Sequence, residues 1–229
     1  MARVGRFEDR REAGQLLAAK LNKYAQTTGL LVLALPRGGV PVAFEVAKAL
    51  NAPMDIFVVR KLGVPWEEEL AMGAIAPGGI RVLNEEIVSS MGIPNEIIEK
   101  VAEDEANELK RREIAYRGHT APPEVAGKTV IVVDDGIATG STMRSAVAAL
   151  RRHDPSKLIV AAPTAAASSC EELRDGADEV VAVITPEPFY AVGAWYRTFD
   201  QTSDDEVREL YRRHRNDRLL SSTSAPEPN

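Results

Sequence analysis

The sequence predicts an α/β fold with a Rossmann-like, mainly parallel sheet flanked by helices. Three observations carry the prediction. Short all-apolar runs recur, as in LLVLAL (Leu30–Leu35), VIVV (Val130–Val133) and LIVAAP (Leu158–Pro163). Continuous runs of that length fit strands covered on both faces. Helical patterns separate them, and that alternation is the signature of βα units. Apolar residues make up 45% of the 229 residues, enough for a sizeable core.

The elements follow in order. Phe7 to Ala25 is predicted as a helix, because Ala13, Leu16, Leu17 and Leu21 recur at helical spacing among charges. The first strand is Leu30–Leu35. PRGG (Pro36–Gly39) follows, then a helix from Val40 to Leu50. Met54 to Arg60 forms the next strand. Lys61 to Asn84 is mixed, with AMGAIA and IRVLN set as a hairpin around Pro77-Gly78-Gly79. Pro94 to Arg117 is a charged amphipathic helix with an apolar stripe through Ile97, Val101 and Leu109. After Pro122-Pro123 comes the strand KTVIVVDD, and then a loop and a helix from Thr142 to Arg152. Leu158–Pro163 and Glu179–Pro186 are further strands. Between them Ser168 caps a short helix to Gly176, with Glu171 and Glu172 in its first turn. An aromatic, irregular segment precedes a helix from Asp204 to Arg215. The expected organisation is one domain over 1–215 and a disordered tail over 216–229.

Composition excludes several classes. Net charge is −6 and the isoelectric point is about 5.3, so an electrostatic nucleic-acid binder is not expected. A single cysteine, Cys170, excludes an intrachain disulfide framework and suits a reducing compartment. No apolar run approaches the roughly 18 residues of a membrane span, and the N-terminus lacks a signal-peptide pattern. A cytoplasmic protein is the expectation. His119, His153 and His214 lie in polar or linker contexts without metal-ligand spacing.

The chemistry concentrates in VIVVDDGIATGSTMRSAV, Val130 to Val147. A buried strand ends in two carboxylates, Asp134 and Asp135. A loop with Thr139, Gly140, Ser141 and Thr142 leads into a helix. The helix start offers unpaired N–H groups and partial positive charge. Gly140 lets the backbone approach an anion, and three hydroxyls add donors. This is a phosphate cradle, though neither a Walker loop nor a dinucleotide fingerprint. The acids are suited to vicinal ribose hydroxyls and to orienting Mg²⁺ through its water shell. A sugar 5-phosphate spans both groups. PRGG is a second anion position: it opens a helix, Gly38 and Gly39 expose N–H groups, and Arg37 adds a fork of donors.

VIVVDDGIATGST resembles the phosphoribosyl-pyrophosphate (PRPP) signature of the type I phosphoribosyltransferases. PRGGVPVAFEVA and RKLGVP are similar to segments of stand-alone members whose acceptors are not defined. The resemblance implies that family's fold, with a β-hairpin flexible loop and a small hood, here from about 1–25 and 185–215. It implies that Asp134 and Asp135 hold the ribose hydroxyls and that Ala138 to Thr142 hold the 5-phosphate. Arg37 to Gly39 would be the pyrophosphate loop, which in the family often carries a cis peptide. Arg60 and Lys61 would end the second strand at the root of a mobile loop, Leu62 to Leu70. Gly136 departs from the family's usual apolar residue. Ala138 stands where the 6-oxopurine enzymes carry an aspartate that handles the proton on the base. Alanine cannot do so, so hypoxanthine and guanine are not the expected acceptors.

Two readings of the aromatic segment stand side by side. By resemblance to the purine enzymes, Phe189 or Tyr190 stacks on the acceptor base. Alternatively the aromatics form a satellite core under the N-terminal helix. The implied activity is Mg²⁺-dependent transfer from PRPP to a small-molecule acceptor, a nucleobase, with release of pyrophosphate and no nucleic-acid or membrane partner. Relatives are commonly homodimers. The alternatives are a non-catalytic PRPP or nucleotide sensor on the same fold and a hydrolase that sends the ribosyl centre to water.

Overall fold

The computed structural model describes residues 5–223. Five strands form one parallel sheet in the order β2-β1-β6-β7-β8: β1 Leu30–Ala34, β2 Met54–Ile56, β6 Thr129–Val133, β7 Lys157–Thr164 and β8 Glu179–Ile184. Every residue of β1 and β6 is buried, as an all-apolar run covered on both faces must be. A second, antiparallel sheet joins β3 Arg60–Val64, β4 Glu67–Ala76 and β5 Ile80–Leu83.

The helices are α1 Arg10–Leu21, α2 Gly39–Ala49, α3 Glu85–Ser90, α4 Asn95–Arg117, α5 Ser141–Arg151, α6 Ala167–Leu173 and α7 Asp204–Thr223. They divide the core in two. Val32, Ala34, Ile131 and Val133 face α1 and α2 in one apolar cluster. Leu31, Leu33, Val130 and Val132 face α5 and α6 in the other. Adjacent strands β1 and β6 therefore send their helices to opposite faces. A crevice opens between the two loops at their carboxyl ends, where open α/β sheets bind ligands.

Several boundaries differ from the sequence reading. α1 starts at Arg10, not Phe7, because Asp9 caps it by accepting from Glu12 N at 2.8 Å. Phe7 instead joins Tyr196 in a parallel bridge. The second parallel strand stops at Ile56, and Arg60 opens the antiparallel sheet opposite Ile75. Arg60 and Lys61 thus sit at the root of a hairpin, off the parallel sheet. The segment expected as a mobile loop, Leu62 to Leu70, lies largely within β3 and β4, with Leu62 and Val64 buried. α3 was not expected; Asn84 caps it through Ile87 N. Ser168 does not cap α6, whose N-cap is Ala166, and no acid lies in its first turn. α7 continues to Thr223, so 216–223 are helical where a disordered tail was expected. The rest of that tail, 224–229, lies outside the described residues. His214 is buried, with Nε2 3.0 Å from the Ala52 carbonyl oxygen. No helix among the described residues is long and apolar enough to cross a membrane.

Candidate active site

Asp134 and Asp135 leave the carboxyl end of β6 at the crevice. PRGG leaves β1 beside them, and the two loops touch. A β-carbon on Gly38 would lie 2.0 Å from Asp135 Oδ2, and one on Gly39 would lie 2.7 Å from the Val133 carbonyl oxygen. Only glycine permits that approach. The Pro36–Arg37 peptide is cis. Arg37 is partly exposed and its Nη1 lies 3.6 Å from Asp204 Oδ1. Tyr116 donates its hydroxyl to the same oxygen at 3.0 Å.

The carbonyl oxygens of the cradle are occupied by donors from the protein itself. Ser169 donates to the Ala138 oxygen at 2.5 Å. Arg144 Nη1 donates to the Thr139 oxygen at 2.7 Å, and its backbone N–H donates to the Gly140 oxygen at 2.7 Å. Ser145 donates to the Ser141 oxygen at 3.0 Å. Gly140 adopts φ 71°, a conformation that favours glycine. The donors are left over. Among the described residues, the backbone N–H groups of Ala138, Thr139 and Gly140 find no backbone acceptor. The hydroxyls of Thr139, Ser141 and Thr142 bond no protein group among those residues either. Ser141 and Thr142 open α5, where N–H groups lack intrahelical partners. The loop lines a cavity of about 180 Å³, with Asp134 at one side and Val192 at another.

The acids are electrostatically unusual. Burial pushes the Asp134 carboxyl well above the usual range, and the charge of Asp135 adds to this. Burial also raises Asp135, but Arg10 opposes it. Arg10 Nε donates to Asp135 Oδ2 at 2.8 Å, with both side chains largely buried. Tyr196 donates its hydroxyl to the Asp135 carbonyl oxygen at 2.5 Å. Burial, then Asp135, drives that phenol's pKa upward, so it remains a donor.

Lys61 and Arg60 diverge. Lys61 lines a larger cavity, about 540 Å³, together with Thr139, Ser141 and Arg144. Arg60 instead pairs with Glu105 of α4 at 2.5 Å. The structure therefore brings Lys61 to the cradle and holds Arg60 at the hairpin root. The aromatic segment also divides. Tyr196 and Phe199 join Phe7 and Ala13 in a satellite core, while Phe189 is half-buried and Tyr190 is 81% exposed. Sequence reasoning missed Arg10, Ser169 and Arg144. Arg10 and Ser169 act from distant parts of the chain, whereas Arg144 lies within the quoted stretch and its bond to the Thr139 oxygen spans five residues.

The family profile described as the phosphoribosyl transferase domain matches residues 7–194. The chain belongs to the phosphoribosyl transferase family. Two Mycobacterium tuberculosis strains carry proteins provisionally named phosphoribosyl transferases that are 46% identical over 203 residues. The match covers 88% of this chain and 45% of each relative, so the chain spans less than half their length. A crystal structure of TT1426 from Thermus thermophilus is 38% identical with a TM-score of 0.82, covering 90% of this chain and 97% of that one. The five-stranded parallel sheet, the flanking helices and the antiparallel hairpin are the type I phosphoribosyltransferase fold.

Proposed function

We propose that this chain transfers the phosphoribosyl group of PRPP to a small-molecule acceptor, a nucleobase: a base nitrogen bonds to the ribose C1, the C1–oxygen bond to pyrophosphate breaks, and the proton on that nitrogen passes to solvent. One observation carries the reading: an anion cradle with its donors unspent lies beside two acids, and a second glycine-lined anion loop touches those acids. A molecule with phosphates at both ends of a pentose matches that order of groups.

In this reading the N–H groups of 138–142 bind the 5-phosphate. Asp134 and Asp135 accept from the ribose hydroxyls. Arg37, Gly38 and Gly39 bind the pyrophosphate at the start of α2, and Lys61 faces the same ligand from the hairpin. Cationic and N–H donors placed where charge builds on the leaving group are worth a few kcal/mol each, about 10²–10³ in rate. The acids Asp134 and Asp135 would hold Mg²⁺ through its water shell. They are hard oxygen donors, and among the described residues no three His, Cys, Asp or Glu side chains group into a protein cage. When bound, Mg²⁺ supplies charge neutralisation at the pyrophosphate. Ala138 supplies no proton to the acceptor, which weighs against 6-oxopurines. The acceptor would meet the hood, where Phe189 and Tyr190 are the candidate stacking residues.

Pyrophosphate release from PRPP with Mg²⁺ across a panel of bases tests the proposal. Release with one base and not without it supports transfer. Release that needs no base points to hydrolysis, and tight PRPP binding without turnover points to a sensor; either result overturns transfer.

A further inference from the structure

Asp135 is held on almost every side. Its N–H donates to Asp134 Oδ1 at 2.8 Å, and its carbonyl oxygen accepts from Tyr196. Its Oδ2 accepts from Arg10 Nε and abuts Gly38 so closely that no β-carbon would fit. Oδ1 alone has no partner outside the acid pair among the described residues.

Arg10 is fixed with equal completeness. Its Nη1 donates to the Asp200 carbonyl oxygen at 2.7 Å. Its guanidinium carbon lies 3.9 Å from the centre of the Phe199 ring, within the range of a cation–π contact. The side chain is 13% exposed. Its backbone neighbours are anchored too: Phe7 N donates to the Trp195 oxygen, and Arg197 N donates to the Phe7 oxygen, both at 2.8 Å. A planar fork bonded on two edges and stacked on one face has one available orientation.

We propose that Arg10 is the positioning residue for the ribose: it occupies Asp135 Oδ2, turns Oδ1 toward the sugar hydroxyls, and couples that acid to the 196–200 segment. The inference rests on the ribose assignment made above. It gives the satellite core of Phe7, Tyr196 and Phe199 a role, namely to hold the guanidinium in place. Arg10 touches no ligand group in this arrangement; it acts through Asp135.

The test separates the sugar from the phosphate. Affinities for inorganic phosphate and for ribose 5-phosphate are measured by calorimetry on the wild-type chain and on Arg10→Met, Arg10→Lys and Arg11→Met. Arg11 is exposed and, among the described residues, pairs with Glu45, so it serves as the control. The wild type is expected to prefer ribose 5-phosphate. Arg10→Met should keep its phosphate affinity and lose about tenfold of the ribose preference, the usual cost of a charge-assisted hydrogen bond. Arg10→Lys should recover part of it, because an ammonium keeps the charge but not the fork. Far-UV circular dichroism and melting confirm that Arg10→Met is folded at the temperature of the titrations, and Arg10→Lys repeats the comparison if it is not. A wild-type ratio in a folded Arg10 variant overturns the inference and leaves the ribose assignment intact. A wild-type chain that binds phosphate with no ribose preference removes both.

Discussion

Gly136 and Val192 occupy one space. A β-carbon at Gly136 would stand 2.3 Å from Val192 Cγ1, so the short helical turn Val192–Trp195 seats where a side chain on the loop after β6 would project. Val192 fills the space that a side chain at 136 would take.

That exchange makes a measurable coupling. Gly136→Ile should lower stability by about 1–3 kcal/mol through overpacking. The same substitution with Val192→Ala should restore most of it. Urea denaturation of the two single variants and the double variant gives the interaction energy. Strict additivity would mean that the two sites do not compete for space.

Ser169 should matter to the phosphate more than to the fold. Among the described residues, its hydroxyl is the one side-chain donor on the Ala138 oxygen. Ser169→Ala frees that carbonyl to turn into the cradle, where it would repel an anion. Phosphate affinity is expected to fall by about threefold to tenfold, read by calorimetry. An unchanged dissociation constant would show that the loop needs no such tether.

Asp135→Asn should remove turnover, by about a hundredfold or more, while far-UV circular dichroism stays native. A charged hydrogen bond to the ribose and the ion pair with Arg10 are lost together. Full activity in that variant would refute the ribose assignment.

The two basic residues at the hairpin root should part company. Lys61 shares a cavity with Thr139 and Ser141, whereas Arg60 is committed to Glu105. Lys61→Met is expected to raise KM for PRPP or lower kcat by about tenfold or more. Arg60→Met should chiefly cost stability, because it leaves Glu105 without its partner. Steady-state kinetics and melting of both variants decide the matter, and the reverse pattern would exchange their roles.

His214 predicts an acid limb of stability. Burial, more than any other influence, lowers its pKa from the ordinary 6.5. The unfolded chain therefore binds more protons just below that value, and stability rises with pH through the window. It is fully present above about pH 6.5 and is lost as pH falls toward the folded value. His214→Gln should flatten this limb of the urea-midpoint profile. A slope that persists unchanged would place its origin in other groups.

The sequence by itself determined the parallel strands, the cradle and the acid pair. Those features are local: a short all-apolar run between βα turn signals fits a covered strand, and the glycine, hydroxyls and acids follow it within ten residues. PRGG was legible for the same reason. The hairpin turn at Pro77–Gly79 was legible as well. Tertiary structure decided what is non-local. Which helix covers which face is set by packing, and that choice places PRGG against Asp134 and Asp135. Arg60 could not be separated from Lys61 by pattern, because an antiparallel partner, Ile75, draws the chain off the parallel sheet. Arg10 reaches Asp135 across 125 positions, and Val192 meets Gly136 through tertiary packing. Periodicity and spacing describe neighbours along the chain, whereas a buried carboxylate must find its counter-charge wherever the packed fold brings one.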